Sequence, residues 1–234
     1  MPRSVPLFLL ALISLGTSPA CAGAPAQGNP NQDQEEEDQP LLSSSTLSGL
    51  KFRSIGPAMT GGRVTDLAVT PGKRNRYYIA LASGGIWKTV NSGTTWTPVF
   101  DGQNSYSIGC LAMDINNPHT LWVGTGENNS QRSVSFGDGV YRSRDGGQNW
   151  EHLGLEESEH IGMIAIDPRD SNTVFVAAQG PLWRSGGDRG LYKTHDSGKT
   201  WKAILEVDEH TGVNEVHMDP RNPDVMYAST YQRA

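Results

Sequence analysis

Apolar and polar residues alternate in short runs along most of this chain, and a Pro-containing turn closes run after run. Val64-Thr65-Asp66-Leu67-Ala68-Val69 precedes Pro71, Gly162-Met163-Ile164-Ala165-Ile166 precedes Asp167-Pro168, and Val213-Asn214-Glu215-Val216-His217-Met218 precedes Asp219-Pro220; Gly109 to Met113 has Pro118 a little later. A second apolar run follows each: Tyr77 to Ala82, Leu121 to Thr125, Val174 to Ala178 and Val225 to Thr230. A third comes behind the first three, at Gly85 to Lys88, Gly139 to Arg142 and Gly190 to Lys193. Period-two runs closed by turn residues predict β-strands. No segment with a helical period is long enough to connect parallel strands.

Directly after each third run comes one short signature: Thr89-Val90-Asn91-Ser92-Gly93-Thr94-Thr95-Trp96, Ser143-Arg144-Asp145-Gly146-Gly147-Gln148-Asn149-Trp150 and Thr194-His195-Asp196-Ser197-Gly198-Lys199-Thr200-Trp201. Its tryptophans are 54 and then 51 residues apart, so the chain is a repeat protein with one supersecondary unit per repeat. The signature predicts a hairpin, with a fourth strand beginning at the Trp. Four short strands per repeat predict an all-β fold, a β-propeller of four-stranded blades.

Within the signature the Asx side chain can accept backbone N–H groups of the turn, and the Gly two residues later can adopt positive φ. The Trp buries roughly 150–250 Å², worth up to about 4–6 kcal/mol, against roughly 1 kcal/mol for the side-chain hydrogen bond. Packing therefore dominates and the turn supplies geometry. Asn91 occupies the place of Asp145 and Asp196, and an amide serves neither as general acid nor as base. The residues Asn91, Gly93, Trp96, Asp145, Gly147, Trp150, Asp196, Gly198 and Trp201 are accordingly read as structural.

The pattern [ST]-x-[DN]-x-G-x-[TN]-W resembles the Asp-box, or bacterial neuraminidase repeat, of sialidases, two-propeller xyloglucanases, photosystem II assembly factors and the sortilin/VPS10 ectodomain. The wider run Phe52-Arg53-Ser54-Ile55-Gly56-Pro57, Gly61-Gly62-Arg63-Val64, Gly84 to Thr89, Gly124-Thr125-Gly126-Glu127 and Phe136 to Tyr141 resembles the N-terminal part of large bacterial exported proteins with sortilin-like propellers, often labelled glycosyl hydrolase. The resemblance extends over residues 46–234. It implies a non-catalytic module for protein, peptide or glycan binding, or for assembly. The alternative it leaves open is part of a glycoside hydrolase, sialidase-like or xyloglucanase-like, with catalytic carboxylates partly outside this stretch. Xyloglucanases carry a catalytic Asp just before the Gly-Gly matching Gly84-Gly85, where this chain has Ala80-Leu81-Ala82-Ser83. Sialidases carry an uninterrupted Phe-Arg-Ile-Pro, an arginine cluster and a Tyr–Glu pair, of which only the interrupted Phe52 to Pro57 is matched.

Residues 1–22 read as an export signal: Arg3, an apolar stretch from Val5 to Leu15, then Ala20-Cys21-Ala22. That stretch is short for a membrane span. Cleavage after Ala22 gives a secreted or periplasmic protein; acylation of Cys21 gives a lipoprotein, the one reading that involves a membrane. Residues 23–48, rich in Pro, Gln, Asn and Ser and containing Glu35-Glu36-Glu37-Asp38, read as a disordered linker. The partial propeller is placed at 49–234, with blades at about 61–100, 106–155 and 159–207 and an incomplete one at 211–234. Propellers close with roughly four to eight blades, so about three and a half blades imply further ones from a longer parent chain. The exposed strand at Val225 to Thr230 would favour aggregation or domain swapping of the chain alone.

Only two cysteines occur, Cys21 and Cys110, and Cys110 within an apolar strand is read as a buried small hydrophobe. A formal charge of −6 with no basic stripe argues against nucleic acid. The histidines at 119, 152, 160, 195, 210 and 217 show no metal-site spacing, and neither a metal nor a cofactor is expected. The connections between second and third strands are unequal: Ser83-Gly84 in the first repeat, Glu127 to Asp138 in the second, Gln179 to Arg189 in the third. Long loops on a short-loop scaffold are candidate binding elements. Glu127, Arg132, Phe136, Asp138, Trp183, Arg184, Asp188 and Arg189 combine charge with aromatic planes, as a sugar or peptide site does. Two further readings stay open here: Arg132 and Arg189 pairing with Asp138 and Asp188 to brace the loops, and Glu127 with Asp138 as the two carboxylates a glycosidase needs.

Overall fold

The computed structural model describes residues 62–129 and 134–232. The signal and linker readings, Cys21 and Arg132 lie outside the described residues. The chain builds three four-stranded antiparallel sheets and one two-stranded sheet in sequence order. The first blade is β1 (Val64–Val69), β2 (Tyr77–Leu81), β3 (Gly85–Thr89) and β4 (Thr97–Pro98). The second is β5 (Ile108–Met113), β6 (Leu121–Thr125), β7 (Val140–Ser143) and β8 (Glu151–His152). The third is β9 (Ile161–Ile166), β10 (Val174–Ala178), β11 (Gly190–Thr194) and β12 (Lys202–Leu205). The fourth sheet pairs β13 (Thr211–Asp219) with β14 (Asn222–Gln232). This is the all-β, incomplete propeller that the strand pattern predicts, with each fourth strand starting after the Trp rather than at it.

Side-chain alternation explains why the second strands read as continuous apolar runs. All five residues of β6 are buried, because Leu121 and Val123 point into the core between the first and second blades while Trp122 points into the core between the second and third. In β10, Val174, Val176 and Ala178 face the second blade, and Phe175 and Ala177 face the two-stranded sheet. Each central strand thus serves two interfaces. At roughly 1.5–3 kcal/mol per fully buried aliphatic or aromatic side chain, these interfaces hold the blades together. Cys110 is 4 % exposed in the second of these cores, and burial drives its thiol pKa far upward, so it is inert packing.

The two ends of the blades differ. At one end the signature corners meet the turns between first and second strands, through Ser92 N–H to Asn75 O (3.0 Å), Gly146 N–H to His119 O (2.8 Å) and Ser197 N–H to Asn172 O (3.1 Å). At the other, the loops between second and third strands meet the connections between blades: Gly84 N–H to Tyr106 O (3.1 Å), Gly126 N–H to Ser107 O (2.8 Å), Gly137 N–H to Glu159 O (2.7 Å) and Gly186 N–H to Glu209 O (2.8 Å). That second end is the loop face.

The corners behave as the spacing predicts. Asn91 Oδ1 accepts from Thr95 N–H at 2.9 Å, Asp145 Oδ1 from Asn149 N–H at 2.9 Å, and Asp196 Oδ1 from Thr200 N–H at 2.9 Å. Gly93, Gly147 and Gly198 sit at φ 85°, 87° and 86°. One amide and two carboxylates do the same job.

Candidate functional site

The loop of the third blade, 179–189, is organised by Arg189. Its side chain is buried and its guanidinium donates to the main-chain carbonyls of Gly186 (2.9 Å), Gln179 (3.0 Å), Arg184 (2.6 Å) and Pro181. Burial lowers its pKa. Asp188 is not its partner: Asp188 Oδ2 accepts from Glu157 N–H at 3.1 Å, and burial raises its carboxyl pKa. Arg184 forms an ion pair with Glu159 at 2.9 Å. Trp183 stands 70 % exposed on this loop.

In the second blade's loop, Glu127 is 1 % exposed. Its Oε1 accepts from Arg63 Nε at 2.7 Å and from the same guanidinium's Nη2, while its Oε2 is buried with no hydrogen-bond partner among the described residues. Its main-chain N–H donates to Ser107 Oγ at 3.0 Å, and its carbonyl contacts His160 Nδ1 at 2.7 Å. Next to it Asn128 Nδ2 donates to Gly162 O at 3.1 Å, and Gln179 Nε2 reaches Asn128 O at 3.4 Å and Asn214 Oδ1. A polar belt therefore crosses from the first blade to the fourth sheet, where the first strands begin. Asp138 is engaged elsewhere: Tyr141 Oη donates to its Oδ2 at 2.5 Å and Thr125 Oγ1 to its Oδ1 at 3.2 Å. Glu127 and Asp138 thus have separate partners.

A cleft of about 430 Å³ on the loop face is lined by Asp138, Tyr106, Phe136, Asn104, Ser105 and Ser135. Phe136 is 72 % exposed and Tyr106 62 %. Two exposed rings flanking polar groups match the apolar faces and hydroxyl rims of a sugar ring. Among the described residues no group of three or more His, Cys, Asp or Glu is placed to hold a metal ion.

The structure thus brings Phe136 and Asp138 to one cleft, places Trp183, Arg184, Asp188 and Arg189 on the neighbouring blade's loop, and buries Glu127 in the belt. Sequence reasoning missed Tyr106, Arg63, His160, Gln179 and Asn214 as site residues. Arg63 and His160 do share a signal, since each is the residue just before a blade's first strand region.

A family model described as "Sortilin, neurotensin receptor 3" matches residues 138–234. Among curated proteins, the chain is 22% identical over 180 residues to xyloglucanase Xgh74A of Acetivibrio thermocellus, covering 70% of this chain and 20% of that protein. It is 23% identical to the oligoxyloglucan-reducing end-specific xyloglucanase of Emericella nidulans (69% and 27% covered) and 26% identical to a xyloglucanase of Hypocrea jecorina (62% and 18%). The chain spans about a fifth to a quarter of the length of these relatives. Among solved structures, an ancestral GH74 enzyme superposes with TM-score 0.60 at 22% identity, over 74% of this chain and 22% of that one. The Niastella koreensis GH74 enzyme follows at TM-score 0.54 and 23% identity, over 68% and 24%. These likenesses show the fold: the sheets are propeller-type blades, and the sortilin-type family model matches the stretch 138–234.

They also correct one expectation. A non-catalytic binding or assembly module is not what the relatives point to, since the curated proteins matched are xyloglucanases. The physical reason is that the three corners hold backbone N–H groups whether they carry Asn or Asp, so they carry no information about catalysis.

Proposed function

We propose that this chain is part of a glycoside hydrolase acting on a carbohydrate of the xyloglucan class, and that its loop face contacts the polysaccharide. The observation that carries this reading is the match to xyloglucanases over some two thirds of the chain. The Tyr106–Phe136 cleft supports it, because two exposed rings on one rim give a glucan chain stacking surfaces. Trp183, 70 % exposed on the next blade's loop, offers a further aromatic surface at the same end of the blades.

Hydrolysis of a glycosidic bond needs two carboxyl groups, about 5–5.5 Å apart in retaining enzymes and about 6.5–9.5 Å apart in inverting ones. The stretch that corresponds to the xyloglucanase Asp before Gly-Gly, Ala80-Leu81-Ala82-Ser83 ahead of Gly84-Gly85, supplies no carboxyl group. We therefore assign substrate contact to the loop face of this stretch, and propose that the catalytic pair lies at least partly in other blades of a longer parent protein. Export through the signal at residues 1–22 fits a polysaccharide substrate.

The test is release of reducing ends from xyloglucan by the full-length parent protein, with the variants Phe136→Ala and Tyr106→Ala. Each variant should raise KM by roughly threefold to tenfold, the loss of one stacking contact of about 1 kcal/mol. A parent protein that neither cleaves nor binds xyloglucan would overturn the proposal.

A further inference from the structure

The turns between first and second strands share one backbone design in all three blades. Thr70 N–H donates to Arg76 O (3.0 Å), Asp114 N–H to Thr120 O (3.0 Å) and Asp167 N–H to Thr173 O (2.9 Å). Inside each, Arg76 N–H reaches Lys73 O, Thr120 N–H reaches Asn117 O and Thr173 N–H reaches Asp170 O, at 2.8–2.9 Å. Lys73, Asn117 and Asp170 are thus equivalent, as are Arg76, Thr120 and Thr173.

The equivalence isolates what the first turn does differently. Asn117 Nδ2 donates to Thr120 Oγ1 at 3.1 Å, and Thr173 Oγ1 donates to Asp170 Oδ2 at 2.7 Å, so those pairs brace their own turns. Lys73 and Arg76 are both cations and cannot pair with each other. Neither side chain has a hydrogen bond or ion pair with a described residue, and both are exposed. The shared backbone forms without these charges, so the fold does not account for them.

They open onto a cleft of about 320 Å³ at the corner end of the blades, between the first blade and the second blade's turn. Lys88 lies in it, its Nζ donating to Gly146 O at 3.1 Å and standing 5.3 Å from the centre of the Tyr78 ring. Val90 and Pro118 form apolar walls, and no carboxylate lines the cleft. In a chain of formal charge −6, this is a concentrated positive site.

We propose that this cleft binds the carboxylate of an acidic glycan, a hexuronate unit, on the end opposite the loop face. Cations without carboxylates select an anion. The volume, at the lower end of small-molecule sites, takes a sugar ring or two rather than an extended strand, and the apolar walls suit ring C–H faces. A nucleic-acid strand would call for a long basic groove with stacked aromatics, which this compact cleft lacks. The proposal stands apart from the hydrolase reading.

The test is affinity electrophoresis of the protein in gels containing polygalacturonate, with neutral xyloglucan as the second matrix. The variant Lys73→Asn/Arg76→Thr carries the residues the second blade uses at the equivalent positions, and Arg76→Thr alone serves should the double variant not fold, as judged by circular dichroism. Polygalacturonate should retard the wild-type protein at low salt, and the variant should bind at least tenfold more weakly while any retardation by xyloglucan is unchanged. No retardation of the wild type, equal retardation of the variant, or tighter binding of a single-stranded oligonucleotide than of oligogalacturonate would each overturn it.

Discussion

The indole N–H of Trp150, in the second blade's corner, donates to the main-chain carbonyl of Val99 in the first blade at 2.6 Å. Trp201 repeats the contact one blade on, with Leu153 O at 2.6 Å. Each acceptor lies three residues beyond the previous blade's Trp, so the second and third corners each pin their blade to the one before. The same corners take a second bond from behind: Lys88 donates to Gly146 O, and Arg142, 5.3 Å from the Trp122 ring, donates to Ser197 O.

Replacing Trp150 or Trp201 by Phe removes the N–H, strands a carbonyl at a packed interface and should cost about 1–3 kcal/mol. Trp96 packs edge-on against Tyr77 of its own blade at 5.5 Å, and its indole N–H has no acceptor among the described residues. Trp96→Phe loses similar ring area and should cost about 1 kcal/mol less than the other two. Urea titrations of the three variants decide this; equal losses would show that ring area alone matters.

The corner carboxylates should also leave a mark on acid stability. Bonds from Asn149, Ser143 and Gln148 hold the Asp145 carboxyl down to about 2, the Asn149 N–H contributing most. Its unfolded value is about 3.9. A group depressed on folding stabilises fully above its unfolded value and ceases to do so as pH falls through the folded one. Asp145→Asn keeps an acceptor oxygen, as Asn91 does, without the charge that strengthens the bonds. The wild type should therefore be more stable than Asp145→Asn at pH 5–7, and thermal melts should show the gap closing between about pH 4 and pH 2. A gap that widens on acidification would refute the assignment.

How much of this was legible beforehand depends on which atoms carry each contact. The strands follow from side-chain alternation, and the corners from Asx, Gly and Trp at fixed spacing. The pins from Trp150 and Trp201 end on main-chain carbonyls, which leave no trace in residue identity. Arg189 shows the same limit: a guanidinium in a polar loop suits ligand contact and carbonyl capping equally, and only the fold reveals that carbonyls surround it. The belt of Arg63, Glu127, His160, Gln179 and Asn214 draws single residues from separate blades, so no local motif announces it. Asp167-Pro168 is the contrary case, read as a turn former and found capping Arg169 N–H at 2.9 Å.

Close approach of the first strands sets a third expectation. A Cβ built on Gly162 would lie 2.2 Å from the main-chain oxygen of Asn214, and one on Gly109 would lie 2.2 Å from that of Ile161. Backbone cannot retreat as a flexible side chain does, so Gly162→Ala must push β9 and β13 apart and should cost about 1–3 kcal/mol or more. Gly102, where a Cβ meets nothing within 4 Å, provides the control. Gly102→Ala should stay within about 0.5 kcal/mol of wild type. Comparable losses for both, read from denaturation midpoints, would mean that the strands are not packed as described.

The ion pair of Arg63 and Glu127 joins the first blade to the second at the loop face, with the carboxylate side chain 1% exposed and the guanidinium side chain 44%. That asymmetry predicts unequal single-variant effects. Arg63→Met leaves a buried carboxylate without its cation, a loss of 3–5 kcal/mol for a fully buried pair that solvent around the exposed guanidinium reduces to about 2–3 kcal/mol. Glu127→Met strands only a guanidinium that already reaches water, and should cost about 1 kcal/mol or less. The double variant Arg63→Met/Glu127→Met should then be more stable than Arg63→Met alone, giving a coupling energy of about 1–3 kcal/mol in the cycle. Additivity within about 0.3 kcal/mol would show that the two side chains do not depend on each other. In that event Glu127 would need another reason for its burial, and its Oε2, without a hydrogen-bond partner among the described residues, would be the first place to look.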